Sequence, residues 1–222
     1  MAAPVGNAEV TERYALVLCD LQQDFLTGIP EPRRSTLLEQ VKELLAAARN
    51  ARWHIVYTGV RFPPGYAGVP PRHRIFGGLQ RRNAQDGDEK VHWFMEGYEG
   101  SEIVPDLAPV EGEPVVWRSR LRPSEGTGEA LRSKGITKVV VAGLKTGQSV
   151  LQTVESLADE GLLIYVVRDC VADSSEERHS AVLDHVINQY ADVLASEAFR
   201  EQIGAEIMLD MHIAFKTAQR AG

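Results

Sequence analysis

Apolar residues in this chain follow two alternating rhythms. Short unbroken apolar runs are separated by stretches in which apolar positions return every third or fourth residue, the patterns of buried strands and amphipathic helices. The run from Ala15 to Cys19 predicts a strand that ends at Asp20. Leu37, Leu38, Val41, Leu44, Leu45 and Ala48 share one helical face, and His54 to Thr58 reads as a second strand. Pro114 to Trp117 is a third strand and Lys138 to Ala142 a fourth. Leu163 to Val167 is a fifth, and Ala191 to Ser196, around Val193 and Leu194, a sixth. Val150, Leu151, Val154, Leu157 and Ala158 mark a helix between the last two long strands. Val182, Leu183, Val186 and Ile187 mark another, with Ser174 or Ser175 as its N-cap. A C-terminal helix is expected over 204–220.

Strand–helix alternation of this kind predicts an α/β fold. The expected form is a doubly wound, six-stranded, mainly parallel sheet with helices on both faces. The stretch from Arg61 to Glu113 is rich in Gly, Pro and charge. It is too long for an inert loop, so short helices and part of a site wall are expected there. Neither an internal repeat nor a second-domain boundary interrupts the pattern, so residues 1–222 read as one domain with its core at 13–200. Ligands of such sheets bind beyond the C-terminal strand ends. That rule singles out Asp20, the residues after Thr58, the segments Trp117 to Arg120 and Gly143 to Ser149, and Asp169.

Composition narrows the function classes. A net charge of −7 with scattered Lys and Arg leaves no basic face for a nucleic-acid backbone. No apolar run is long enough to span a membrane, and the polar stretch from Met1 to Arg13 lacks a signal core. Two cysteines, Cys19 and Cys170, are too few for a disulfide framework. A cytoplasmic protein is expected, with leaderless export as the alternative.

Two features could carry chemistry. Asp20 stands where an apolar strand opens, and a partly desolvated carboxylate there gains a raised pKa and can act as acid or base. The plainer reading is an Asp that caps the next turn. The segment from Gly143 to Ser149 is a glycine-bearing turn feeding a helix, which presents backbone N–H groups to an anion or oxyanion. It is neither a Walker loop nor a dinucleotide fingerprint. Cys19 alternates away from Asp20 and reads as a core thiol, and Cys170 reads as structural. Gln22 and Phe25 are expected to shape a pocket, and Asp24 to bond backbone groups. Phe62, Tyr66 and Trp117 are either pocket walls or core.

Taken together, the segment Leu18-Cys-Asp-Leu-Gln-Gln-Asp-Phe25 resembles the signature of the isochorismatase-like hydrolases. Gly143 to Thr153 and Asp169 to His179 match the family's second half, and the resemblance spans about residues 13–200. Arg61 to Tyr66 and Pro105 to Pro109 are similar to connecting segments of one subgroup. The resemblance implies an Asp–Lys–Cys triad on a doubly wound sheet, with Asp20 as its acid. It puts Ser149 at the cysteine position. The lysine position falls on Arg118, with Arg120 second, since no lysine occurs between Lys90 and Lys134. The family's metal cluster would follow the second strand, but Thr58 to Phe62 offers no ligand set. Neither a metal nor a cofactor is expected.

The two replacements change the chemistry. A cysteine thiol titrates at about 8.5, within reach of a carboxylate helped by a cation. A serine hydroxyl behaves more like water, at about 15.7, so Ser149 is not expected to be a covalent nucleophile. The resemblance implies another route, in which an Asp acts as general acid on a vinyl ether without a cysteine. Arg118 could then hold a substrate carboxylate. Lys145, in the turn after Gly143, is either a solvated lysine or a cation that reaches the cleft in place of the lost lysine.

Three readings follow. The first is a hydrolase for a small anionic molecule, with Asp20, Arg118 and Ser149 at the reacting centre and Gln22, Phe25, Arg61, Phe62, Trp117, Lys145 and Thr146 around the substrate. The second is a catalytically degenerate relative that serves as a ligand-binding or assembly module. The third, a nucleotide-binding α/β protein, is disfavoured by the missing glycine fingerprint. Family resemblance also implies a homo-oligomer, a dimer or larger.

Overall fold

The computed structural model describes residues 13–83, 91–122 and 126–204. Six strands form one sheet: β1 (Tyr14–Cys19), β2 (His54–Val60), β3 (Val115–Arg118), β4 (Lys138–Leu144), β5 (Leu163–Ala172) and β6 (Asp192–Leu194). Their order is β3-β2-β1-β4-β5-β6, and every pairing is parallel. The expected mainly parallel sheet is thus wholly parallel. β1 lies at its centre and is buried along its length, which explains its unbroken apolar run.

Helices cover both faces. After the short α1 (Gln23–Leu26) comes α2 (Arg33–Asn50), then α3 (Gly77–Asn83), α4 (Thr127–Ser133), α5 (Leu151–Asp159) and α6 (Glu176–His185). A further helix, α7, runs over 196–204. Alternate strand residues point to opposite faces, so the sheet supports two cores. Leu16, Leu18, Tyr57 and Val140 meet Leu37, Val41, Leu45 and Ala48 of α2. Ala15, Val17, Val139 and Val141 meet Leu131 of α4, Val154 and Leu157 of α5, and Leu183 of α6. No helix among the described residues is long and apolar enough to cross a membrane.

Several expected boundaries move. β5 continues past Val167 to Ala172, and its pairing with β4 shifts register between Val141 and Gly143. Asp169 therefore lies within a strand rather than at its end, and its carboxylate accepts from the Ser196 N–H at 2.7 Å. Ser175, not Ser174, caps α6 by accepting from the Arg178 N–H. Most of the C-terminal helix expected over 204–220 lies outside the described residues. The stretch after β2 holds α3 and one-turn helices at Pro64–Tyr66, Glu99–Ser101 and Pro105–Leu107. Phe62, Tyr66, Phe76 and Phe94 tie it together through ring contacts.

Candidate active site

The strand order reverses between β1 and β4, the place where doubly wound sheets open a crevice. Asp20 leaves β1 there in a left-handed conformation, φ 53°, while its N–H still bonds the Thr58 carbonyl at 2.9 Å. Asp tolerates that conformation better than most residues. Gly143 makes the close strand approach possible: a Cβ on it would collide with the Cys19 carbonyl oxygen, and its φ is +116°.

Three buried side chains converge at this point. Arg118 Nη1 donates to Asp20 Oδ1 at 2.8 Å and Nη2 to Oδ2 at 3.0 Å. The Ser149 hydroxyl also donates to Asp20 Oδ2. β3 is two strands from β1, roughly 9–10 Å at normal strand spacing, so only a long cation at Arg118 can reach the carboxylate. Burial pushes the Asp20 pKa up to about 6, against the opposing pull of Arg118 and the Ser149 hydrogen bond. The Arg118 Nε remains buried without a hydrogen-bond partner among the described residues. Arg120, the other candidate for the cation position, is exposed.

Ser149 sits in a five-residue π-helical turn, Thr146–Val150, that feeds α5. Two groups around α6 hold this turn. The buried Asp173 accepts from the Gly147 N–H at 3.0 Å, and Thr146 Oγ1 lies 2.8 Å from His179 Nδ1. Neither anchor is marked out by a motif in the sequence. An Asp followed by two serines at a strand end was the available signal, but it is common to many caps. Lys145 is half-buried, with its Nζ against Gly28. Desolvation lowers its pKa, and its charged neighbours are Asp173 and Arg178.

The other expected pocket residues fall into two groups. Gln22 is buried and works as a clamp: Nε2 donates to the Val60 carbonyl, and Oε1 accepts from the Val60 N–H, both at 2.8 Å. Phe25 packs on Phe94, Phe62 lies in the aromatic cluster, and Asp24 accepts from the Phe94 N–H at 2.6 Å. Trp117 and Arg61 form a second unit. The Arg61 guanidinium stacks 3.4 Å from the Trp117 ring centre and pairs with Glu102 at 2.6 Å. Trp117 fits because Gly59 beside it has no Cβ. Cys19 faces away from Asp20 and bonds Thr153, and burial raises its thiol to about 11. Cys170 is likewise buried and raised to about 12. Among the described residues, no three His, Cys, Asp or Glu side chains form a group that could hold a metal ion.

The chain and its fold have counterparts among known proteins. The chain is 29% identical over 194 residues to a maleamate amidohydrolase of Pseudomonas putida, covering 85% of this chain and 86% of that one. An isochorismatase family protein of Desulfovibrio vulgaris superposes with a TM-score of 0.70 at 19% identity, over 87% of this chain and 99% of that one. The N-carbamoylsarcosine amidase of Thermoplasma acidophilum gives 0.64 at 21% identity, over 83% and 96%. The isochorismatase domain profile matches residues 14–198, nearly the whole described fold including Asp20, Arg118 and Ser149, and the chain belongs to that family of hydrolases.

Proposed function

We propose that this protein hydrolyses a small, carboxylate-bearing molecule, an amide or a vinyl ether, with Asp20 as its general acid–base. The observation that carries the reading is the buried Asp20 carboxylate at the strand-order reversal, receiving two Arg118 N–H groups and the Ser149 hydroxyl. All three contacts donate to Asp20, so they favour its ionised form. With a pKa near 6 it holds a proton loosely at neutral pH, as an acid–base group must. In the resting state it is a general base toward an attacking water. Once it has taken a proton, it can return it to a leaving nitrogen or to a vinyl carbon.

Ser149 is proposed to line the centre and orient the carboxylate, not to form a covalent intermediate. Its hydroxyl pKa lies far above that of Asp20, so full proton transfer between them is steeply uphill. Arg118 keeps the buried carboxylate charged and adjusts its basicity. Arg61, Trp117 and Lys145 are the proposed substrate contacts, the first two as a stacked polar wall and the last as a cation. The relative's name, maleamate amidohydrolase, supplies the first amide to try.

One observation favours a second reading, a binding module without turnover. Both Arg118 Nη groups are engaged with Asp20, which takes the end-on edge of the guanidinium and leaves only its buried Nε edge for a substrate carboxylate. The test is turnover of maleamate, a panel of small amides and isochorismate by wild type and Asp20→Asn. Cleavage that disappears in the variant supports the hydrolase. Absence of turnover, with retained binding of the same compounds, supports the module.

A further inference from the structure

A cavity lies apart from the Asp20 centre. It measures about 260 Å³ and sits where the first turns of α2 and α6 meet β5. Arg33 and Thr36 of α2, Arg168 of β5, and Glu176, His179 and Ser180 of α6 line it. The polar groups in this wall are unevenly matched. Glu176 is satisfied: Oε2 pairs with Arg33 Nε at 2.9 Å, and Oε1 accepts from the Ser180 hydroxyl at 3.2 Å. The Asp169 carboxylate at the rim already accepts from Ser196 N–H.

The donors, in contrast, are left over. Arg33 Nη2 is buried and has no hydrogen-bond partner among the described residues. His179 is more than nine-tenths buried and bonds Thr146 through Nδ1. No bond to its Nε2 is made among the described residues. Burial, together with the nearby Arg33, lowers the imidazole pKa and favours the neutral ring. If Thr146 donates to Nδ1, the neutral ring carries its proton on Nε2. A buried donor without an acceptor is costly, and Arg33 Nη2 is such a donor in this wall.

We propose that the cavity is a second small-molecule site, which takes an oxoanion, a carboxylate or a phosphate group, on Arg33 Nη2 and His179 Nε2. A planar guanidinium suits either group. Glu176 and Asp169 set a limit on its charge, since an unshielded polyanion would meet both carboxylates. The ligand is therefore small and carries one oxoanion group. Its occupant would press on His179, and through Thr146 on the turn that carries Ser149, which gives the site a route to the Asp20 centre. The binding claim does not depend on which reaction that centre performs.

The experiment is histidine-ring NMR of the full chain, with the His179 signal assigned by His179→Gln. It is titrated separately with inorganic phosphate and with acetate. A saturable shift of that signal with phosphate alone identifies a phosphate-type site, and one with acetate alone a carboxylate-type site. Arg33→Gln, at a partly exposed position, is expected to weaken binding of the effective anion by roughly tenfold or more. If neither anion moves the His179 signal saturably, or if Arg33→Gln binds as tightly as wild type, the proposal is overturned. Thermal unfolding of the variant guards against a folding artefact.

Discussion

The Arg118 guanidinium and the Asp20 carboxylate meet as a bidentate pair, 2.8 Å and 3.0 Å, with both side chains buried. Such a pair adds little stability over an apolar replacement, but it is destructive to break. Arg118→Met should therefore destabilise the fold by roughly 3–5 kcal/mol. Adding Asp20→Asn should recover part of that loss, because the orphaned charge goes with it. Urea unfolding of the two single variants and the double variant measures the coupling. Additive losses would mean that the pair is not formed in solution.

The raised pKa of Asp20 predicts the acid limb of the activity. With the carboxylate acting as base, turnover should rise with pH through about 6. A rate that falls through the same range would assign Asp20 the acid role in the slow step. The profile of kcat/KM for any substrate found is the measurement.

The same shift has a consequence for stability. Asp20 titrates at about 6 in the folded protein, against a reference value of 3.8. A group raised in this way favours folding fully below its unfolded value, and that contribution is lost as pH rises through the folded one. Asparagine does not titrate. The stability of wild type relative to Asp20→Asn should therefore drop between about pH 4 and pH 7, by roughly 3 kcal/mol for a shift of this size. Denaturant midpoints of both proteins across that range test it, and a flat difference would contradict the buried, raised carboxylate.

Ser149→Ala separates lining from nucleophilic roles. Losing one hydrogen bond to a charged group should lower turnover by on the order of tenfold to a hundredfold. It should also raise the Asp20 pKa, since the Ser149 bond lowers it in wild type. The acid limb would move to higher pH. Complete loss of activity, together with an acyl adduct on wild type seen by mass spectrometry, would instead make Ser149 the nucleophile.

Gly59→Ala probes the wall beside the centre. A Cβ there would collide with the Trp117 ring on which Arg61 stacks. Overpacking of this kind usually costs about 1–3 kcal/mol. Thermal unfolding should register it, and the stacked Arg61 should be displaced with the indole. A variant as stable as wild type would mean that the ring has room to move.

All six strands were legible along the chain: β1, β2 and β4, buried on both faces, read as near-continuous apolar runs, and the part-exposed edge strands β3 and β6 as shorter ones. α2 and α5 were legible for a related reason: each buries one stripe, and the stripe repeats with the helical period. α6 was legible in part, since it ends at His185 and Ile187 belongs to the one-turn helix that follows. Asp20 and the turn after Gly143 could be singled out because a parallel sheet puts its chemistry at C-terminal strand ends. The true end of β5 was hidden by its register shift, since the added residues keep strand character while Asp169 breaks the apolar run.

What the chain by itself determined is the layered α/β architecture and the set of residues at the mouth of the sheet, since periodicity and strand ends are local properties. Tertiary structure alone decided which of those residues meet. Arg118 reaches Asp20 across an intervening strand, and Arg120, two residues on, is exposed. Gln22 turns out to be a buried backbone clamp, while Asp173 and His179 hold the Ser149 turn from α6 and the loop before it. The reason is distance along the chain: Asp20 and Arg118 are 98 residues apart, and Asp20 and Ser149 are 129 apart. No local pattern encodes which long-range partners will share one buried carboxylate. That pairing is settled only when burial removes water and each charge must find its counterpart within the protein.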